Sequence, residues 1–306
     1  MGQLLCYPVD KAYNINGKKY ICSRLLAEGG FSFVYLVKDA SGRRYALKSM
    51  LCQTAESEQV ANREIQVFNK FNHPNILRLI DHSVCKSHKV QGAKEYNMLM
   101  PFYKDGSLQD VLDRQRTVNG KDYTISIYNE HQLLTTFRQI LDAIAQFHHC
   151  DPPLAHRDIK PGNVLLSDEK KPVLMDFGST TQARIRVTSR KQALEVQEEA
   201  DQHSTPLYKA PELFDVASDC NLDERTDIWA LGCLLYAMSF NRSPFESSMD
   251  NNSGSVALSV LSGRVDIPAS HSFSNELIQL IRSMLSLNPQ ERPFIDNVIQ
   301  QVDAML

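Results

Sequence analysis

The densest group of reactive side chains lies in one octet, His156-Arg157-Asp158-Ile159-Lys160-Pro161-Gly162-Asn163. A β-hairpin's length farther on, Asp176 opens the triplet Asp176-Phe177-Gly178, and Ala210-Pro211-Glu212 follows later. Carboxylate and amide oxygens of this kind suit hard cations, and an ammonium among them attracts anions. Upstream, Lys48 ends the run Tyr45-Ala46-Leu47-Lys48, and Glu64 follows it. Taken singly, each has a plain reading: a solvated loop charge for the aspartates, a surface strand lysine, a solvated helix face. The order and spacing of the whole set argue for chemistry.

In that order and spacing the chain resembles the eukaryotic protein-kinase family over residues 20 to about 304. The resemblance implies phosphoryl transfer from ATP, in which the protein positions reactants and neutralises charge on the moving group. Asp158 would orient the acceptor hydroxyl and take its proton. Asn163 and Asp176 would hold Mg²⁺, Lys160 would add a charge for the γ-phosphate, and a lysine there marks serine/threonine specificity. Lys48 would hold the α- and β-phosphates, oriented by Glu64. Thr205 would bond Asp158 and Lys160, Asp227 would accept bonds from the catalytic-loop backbone, and Glu212 would pair with Arg292. Phe68, Leu79, His156 and Phe177 would form a stacked spine, a reading close to ordinary core packing.

The nucleotide loop departs from the family's GxGxxGxV. It reads Ala27-Glu28-Gly29-Gly30-Phe31-Ser32-Phe33-Val34, with Gly29 in register, Gly30 beside it, and Ala27 and Ser32 in place of glycines. Glycine serves there because backbone must approach phosphate closely. The resemblance places adenine contacts at Val34, Ala46, Met100, Pro101, Phe102, Tyr103 and Leu165. Pro101 can offer only its carbonyl.

Three features narrow the resemblance to the Numb-associated kinases, a branch with lipid-anchored membership. They are Gly29-Gly30-Phe31-Ser32, Asp176-Phe177-Gly178-Ser179, and the long segment from Asp176 to Glu212. Within that segment Ser189-Arg190-Lys191-Gln192 fits a capping box, and Ala193, Val196 and Ala200 recur at helical spacing. A charged loop is the competing reading. A helix would hold the segment by packing; Arg157 still offers a basic pocket to a phosphate on Thr180, Thr181, Thr188, Ser189 or Ser204.

The chain begins Met1-Gly2-Gln3-Leu4-Leu5-Cys6. Gly2 is the residue that N-myristoylation requires, although position six holds Cys6 rather than Ser or Thr, and an unmodified tail with a small second residue is the competing reading. One such chain binds membranes marginally, so palmitoylation of Cys6 would supply the second signal. Lys11, Lys18 and Lys19 form no dense basic patch. The implied address is cytoplasmic, peripheral on Golgi, endosomal or plasma membrane.

These groups need a scaffold. Alternating β-branched and aromatic residues predict strands at Tyr20–Cys22, Phe33–Val37 and Arg44–Leu47, with a turn at Ser41-Gly42. A helix is expected over 56–71, stopped by Pro74, then a strand pair Leu77–Ile80 and Tyr96–Met100. Helical periodicity covers 107–115, 130–149, 226–239, 255–262 and 274–286, with strand signals at Val164–Leu166 and Val173–Met175. The expected fold is α+β and bilobal: a tail over 1–19, a β-rich lobe over 20–100 with one main helix, and a hinge and helical lobe over 101–306. The cleft between the lobes would take the ligand.

At 306 residues with 42% apolar content the chain can bury such a core. A net charge of −3 without charge runs argues against nucleic acid as a partner. The seven cysteines (Cys6, Cys22, Cys52, Cys85, Cys150, Cys220, Cys233) are scattered and odd in number, which supports neither zinc nor a disulfide framework. No apolar run nears the roughly 20 residues of a membrane span. Protein substrates are the expected partners, and a monomer is favoured over an obligate oligomer. A pseudokinase scaffold is the alternative, resting on the altered glycine loop alone. The presence of Lys48, Glu64, Asp158, Lys160, Asn163 and Asp176 argues against it. Thr205 and Ala210-Pro211-Glu212, which build a protein-substrate groove, argue against a small-molecule phosphotransferase.

Overall fold

A computed structural model describes residues 11–29, 32–87, 90–119, 126–246 and 255–306. The chain divides into two compact units, one ending at Lys104 and the other running from Asp105 to Leu306.

The first unit is a six-stranded antiparallel sheet in the order β1-β2-β3-β4-β6-β5. Its strands are β1 (Ala12–Ile15), β2 (Lys18–Glu28), β3 (Ser32–Lys38), β4 (Arg44–Cys52), β5 (Asp81–Lys86) and β6 (Lys94–Pro101), with helix α1 (Ala55–Lys70) after β4. The sheet therefore begins before Tyr20. Asn16 and Gly17 both take positive φ, 48° and 80°, which closes the β1–β2 hairpin with the twist that two-residue turns need. Tyr13, Ile15, Tyr20, Cys22, Tyr35, Val37, Leu47 and Leu99 form one core cluster. Thr54 caps α1 through a reciprocal bond with Ser57, and the helix buries Ala61, Glu64, Ile65, Val67 and Phe68.

The strand expected at Leu77–Ile80 lies elsewhere. Ile76 and Leu77 are buried as core anchors in a loop. Ladder pairing starts only where the Ile80 N–H donates to Leu99 O at 2.8 Å, and the strand itself is Asp81–Lys86.

The second unit is mainly helical. In chain order it contains α2 (Leu108–Asn119), α3 (Glu130–His149), β7 (Leu154–Ala155), β8 (Val164–Leu166), β9 (Pro172–Leu174), β10 (Thr181–Gln182) and β11 (Ile185–Val187). It continues with α4 (Arg190–His203), β12 (Cys220–Leu222), α5 (Arg225–Phe240), α6 (Val256–Ser262), α7 (Asn275–Met284) and α8 (Ile295–Met305). The sequence reading missed α8 and the two-residue and three-residue ladders β7–β10 and β11–β12. Every residue of α5 is buried, the mark of a helix that runs through a core. Gly232 allows that: a Cβ there would lie 2.9 Å from Met284 on α7. Among the described residues no helix is long and apolar enough to cross a membrane. The architecture is α+β, a β-rich unit followed by a helical one, as expected.

Candidate active site

In the first unit the reactive pair is Lys48 and Glu64. Strand register puts Val34 beside Lys48, Lys48 beside Met98, and Ala46 beside Met100, so these side chains share one sheet face. Glu64 points inward from α1 and is 1% exposed. Its two oxygens accept from Lys48 Nζ at 2.7 and 2.9 Å. A carboxylate this deeply buried needs its partner, and in return it fixes where the ammonium stands.

The glycine segment closes the β2–β3 hairpin. Ala27 pairs with Val34, Glu28 pairs with Phe33, and the Gly29 N–H donates to Ser32 O at 2.8 Å. A Cβ on Gly29 would come 3.1 Å from Ser32 Oγ, so this turn has little room for a side chain. Gly30 lies outside the described residues, as do Gly2 and Cys6. Pro101 ends β6 opposite Tyr45, the Arg44 guanidinium lies 5.4 Å over the Phe102 ring, and Tyr103 is half-buried. Met98 and Met100 are buried, in keeping with core filling.

In the second unit the octet forms a loop suspended from α5. Asp227 accepts from the His156 N–H at 2.7 Å and from the Arg157 N–H at 2.9 Å, and lies 3.1 Å from His148 Nε2. Burial alone would raise its carboxyl; the bonds and positive charge around it hold it below the usual range instead. Arg157 and Asp176 both take positive φ, 69° and 65°, a costly conformation for non-glycine residues and one concentrated at functional sites.

Four side chains then converge. Asp158 Oδ1 accepts from the Thr205 hydroxyl at 2.7 Å and from its backbone N–H at 3.0 Å. Asp158 Oδ2 accepts from Lys160 Nζ at 2.7 Å and from Asn163 Nδ2 at 2.8 Å. Lys160 also donates to Thr205 Oγ1 at 2.6 Å. The expected quartet of Asp158, Lys160, Asn163 and Thr205 is thus one hydrogen-bonded network, locked in position before any substrate arrives. Leu165 sits in β8 and pairs with Ser107.

The donors suit magnesium. Asn163 Nδ2 donates to both the backbone oxygen and Oδ2 of Asp158, so its amide oxygen is the atom left for a cation. The Met175 N–H donates to Asn163 O at 2.9 Å, which ties the residue before Asp176 to Asn163 across the β8–β9 ladder. No three His, Cys, Asp or Glu side chains form a metal cluster among the described residues. Magnesium bound with phosphates needs only one or two protein carboxylates.

Beyond the network, Arg292 grips Glu212 with two parallel bonds of 2.7 and 2.8 Å. His156 and Phe177 meet edge to face at 5.8 Å, and both rings pack on Phe147. Phe68 is buried and Leu79 half-buried in the first unit. The stretch after Ser189 is the helix α4, not a charged loop. Ser189 Oγ accepts from the Gln192 N–H, but Gln192 Oε1 accepts from the Thr188 N–H at 3.0 Å, one residue short of the reciprocal bond a capping box requires.

A model of the protein kinase domain matches residues 20–302. The chain belongs to the protein kinase family. It is 44% identical to a probable serine/threonine-protein kinase of Dictyostelium discoideum, across 99% of this chain and 98% of that one. It is 41% identical to serine/threonine-protein kinase 16 of Mus musculus over its whole length and 96% of the relative, and 30% identical to a serine/threonine-protein kinase of Saccharomyces cerevisiae over 96% and 95%. The enzyme class is protein kinase of the serine/threonine group. Lys209, which the sequence reading did not single out, pairs with Asp201 on the polar face of α4. They stand eight positions apart across the end of α4, and only the folded chain makes them an ion pair.

Proposed function

We propose that this kinase is catalytically active and transfers the γ-phosphate of magnesium-bound ATP to serine or threonine hydroxyls of proteins. The network of Asp158, Lys160, Asn163 and Thr205 carries the reading, because a scaffold has no use for a base held by four charge-assisted bonds. Asp158 orients the acceptor hydroxyl and receives its proton. Lys160 already contacts Asp158 Oδ2, and moving its ammonium to the transferred phosphate would free that oxygen for the acceptor. Lys48, held by Glu64, binds the other phosphates. Asn163 and Asp176 would hold Mg²⁺, which when bound offsets the negative charge of the triphosphate. By the family resemblance, Val34, Ala46, Met100 to Tyr103 and Leu165 would contact the adenine, and Ala27, Gly29, Gly30 and Ser32 would belong to the phosphate-binding loop.

The finer reading places the kinase in the Numb-associated branch, anchored to membranes by acyl chains on Gly2 and Cys6 and acting there as a monomer on protein substrates. It is supported by Gly29-Gly30-Phe31-Ser32, by Ser179 after Phe177-Gly178, and by the α4-containing segment.

A labelled-ATP assay with casein as acceptor, wild type beside Asp176→Asn, tests the activity. Transfer by wild type and loss of at least about a hundredfold in the variant is expected. Equal labelling in both would remove the enzyme reading, and no transfer from folded wild type would favour the scaffold.

A further inference from the structure

We propose that Asp201 and Lys209 form a latch that makes α4 a positioning element for the loop Thr205–Ala210, and through it for the protein acceptor. The inference rests on the proposed function in one respect: it takes that loop as the one facing the acceptor.

Lys209 is 4% exposed, which is unusual for an ammonium group. It meets the Asp201 carboxylate at the C-terminal end of α4 and lies 3.9 Å over the Phe214 ring. A compact, strongly hydrated charge is buried only where it is paired, so the position of Lys209 is bound to that of Asp201. Asp201 itself is half exposed, with 53% of its side chain open, so its carboxylate contributes direction more than cohesion.

The other hydrogen bonds on the loop between them hold its start and its middle. Thr205 holds Asp158 at one end. Leu207 O accepts from Ser243 Oγ at 3.2 Å in the middle, and internal turns link Tyr208 to Thr205 and Lys209 to Pro206. The latch fixes the far end just before Pro211–Leu213. At the same end of α4, His203 O accepts from Ser179 Oγ at 2.7 Å, and from the middle of the helix Gln197 Oε1 accepts from the Val216 N–H at 3.3 Å. The C-terminal half of one helix therefore joins the residue after Phe177-Gly178, the acceptor loop and the segment beyond Glu212. Releasing Asp201 from Lys209 lets the ammonium turn to water and carries the backbone around Tyr208 with it.

The test uses full-length protein as wild type, Asp201→Asn, Lys209→Met, the double variant and Asp201→Glu. With casein as acceptor, each single charge removal should raise the casein KM at least about fivefold while the ATP KM stays within about twofold. The double variant should be no worse than the weaker single one, because the two side chains act as one unit. Asp201→Glu, which keeps the carboxylate, should restore most of the loss. Hydrogen exchange should speed up by about tenfold at the amides of residues 205–213 in both single variants. An unchanged casein KM with unchanged exchange would overturn the latch. So would additive losses, or a rise in both KM values that tracks a fall in Tm, which is what a merely structural pair produces. If wild type transfers no phosphate, that failure belongs to the proposed function, and the exchange measurement alone decides the latch.

Discussion

Thr205 grips Asp158 twice at the same oxygen, its hydroxyl 2.7 Å and its backbone N–H 3.0 Å from Oδ1. The same hydroxyl accepts from Lys160 at 2.6 Å, so a single proton and lone pair orient both the base and the cation beside it. Thr205→Val keeps the shape and the backbone bond but removes both hydroxyl bonds. Its kcat should fall by about tenfold to a hundredfold with little change in Tm, whereas Thr205→Ser should stay within about threefold of wild type. Steady-state kinetics with casein checks this; equal activity in the valine variant would show that the hydroxyl orients nothing.

Some of this site was legible because its chemistry is local. Asp158, Lys160 and Asn163 lie within one turn of chain, so the network they form needs little beyond the loop that carries them. The start of α4 was legible for the same reason, since Ser189 marks a helix end by its own hydrogen bond. Other features depend on what the residues meet. Asn16-Gly17 is a strong hairpin signal, but on its N-terminal side β1 has only four residues to show alternation. The apolar Ile76, Leu77, Leu79 and Ile80 resemble a strand, while the true β5, Asp-His-Ser-Val-Cys-Lys, is polar because it lies at the sheet edge. The pairing of Asp201 with Lys209 carries no signal until α4 ends where it does.

The activation segment should need no phosphate. Arg157 sits under α4 in a cavity of about 10 Å³, enough for one water molecule at most. Burial pushes its guanidinium pKa down, and Asp227, Glu199 and Glu212 act against that with their negative charge. Glu199, on α4, lines the same cavity and supplies charge where a phosphate would otherwise be required. Phosphatase treatment should leave kcat/KM within about twofold. A tenfold loss, restored by autophosphorylation, would mean that α4 moves aside to admit a phosphate to Arg157.

Membrane attachment should require both proposed acyl sites. A single myristoyl chain gives an association constant on the order of 10⁴ M⁻¹, too weak to hold a protein stably on a membrane. Fractionation of cells expressing the full chain should find Gly2→Ala wholly in the soluble fraction and Cys6→Ser mostly there, with wild type on membranes. Wild-type distribution in the Gly2→Ala variant would rule out the anchor while leaving catalysis untouched.

Acid should weaken the support of the catalytic loop. For both Asp227 and Asp223, burial works to raise the carboxyl, but hydrogen bonds and opposite charge prevail and hold the folded-state pKa below the ordinary value. Groups shifted that way contribute stability that is fully present above the unfolded value of about 3.9 and is lost as pH falls through the lower folded values. Asp227→Asn lacks the charge that accepts from His148 and from the backbone of His156 and Arg157. At pH 7 it should be less stable than wild type by about 3 kcal/mol. That gap should narrow as the pH drops below about 4, because wild type then loses what the variant never had. Denaturant unfolding of both proteins at pH 7 and near pH 3 reads it directly. An undiminished gap at the lower pH would mean that Asp227 supports the loop by shape and hydrogen bonding rather than by its charge.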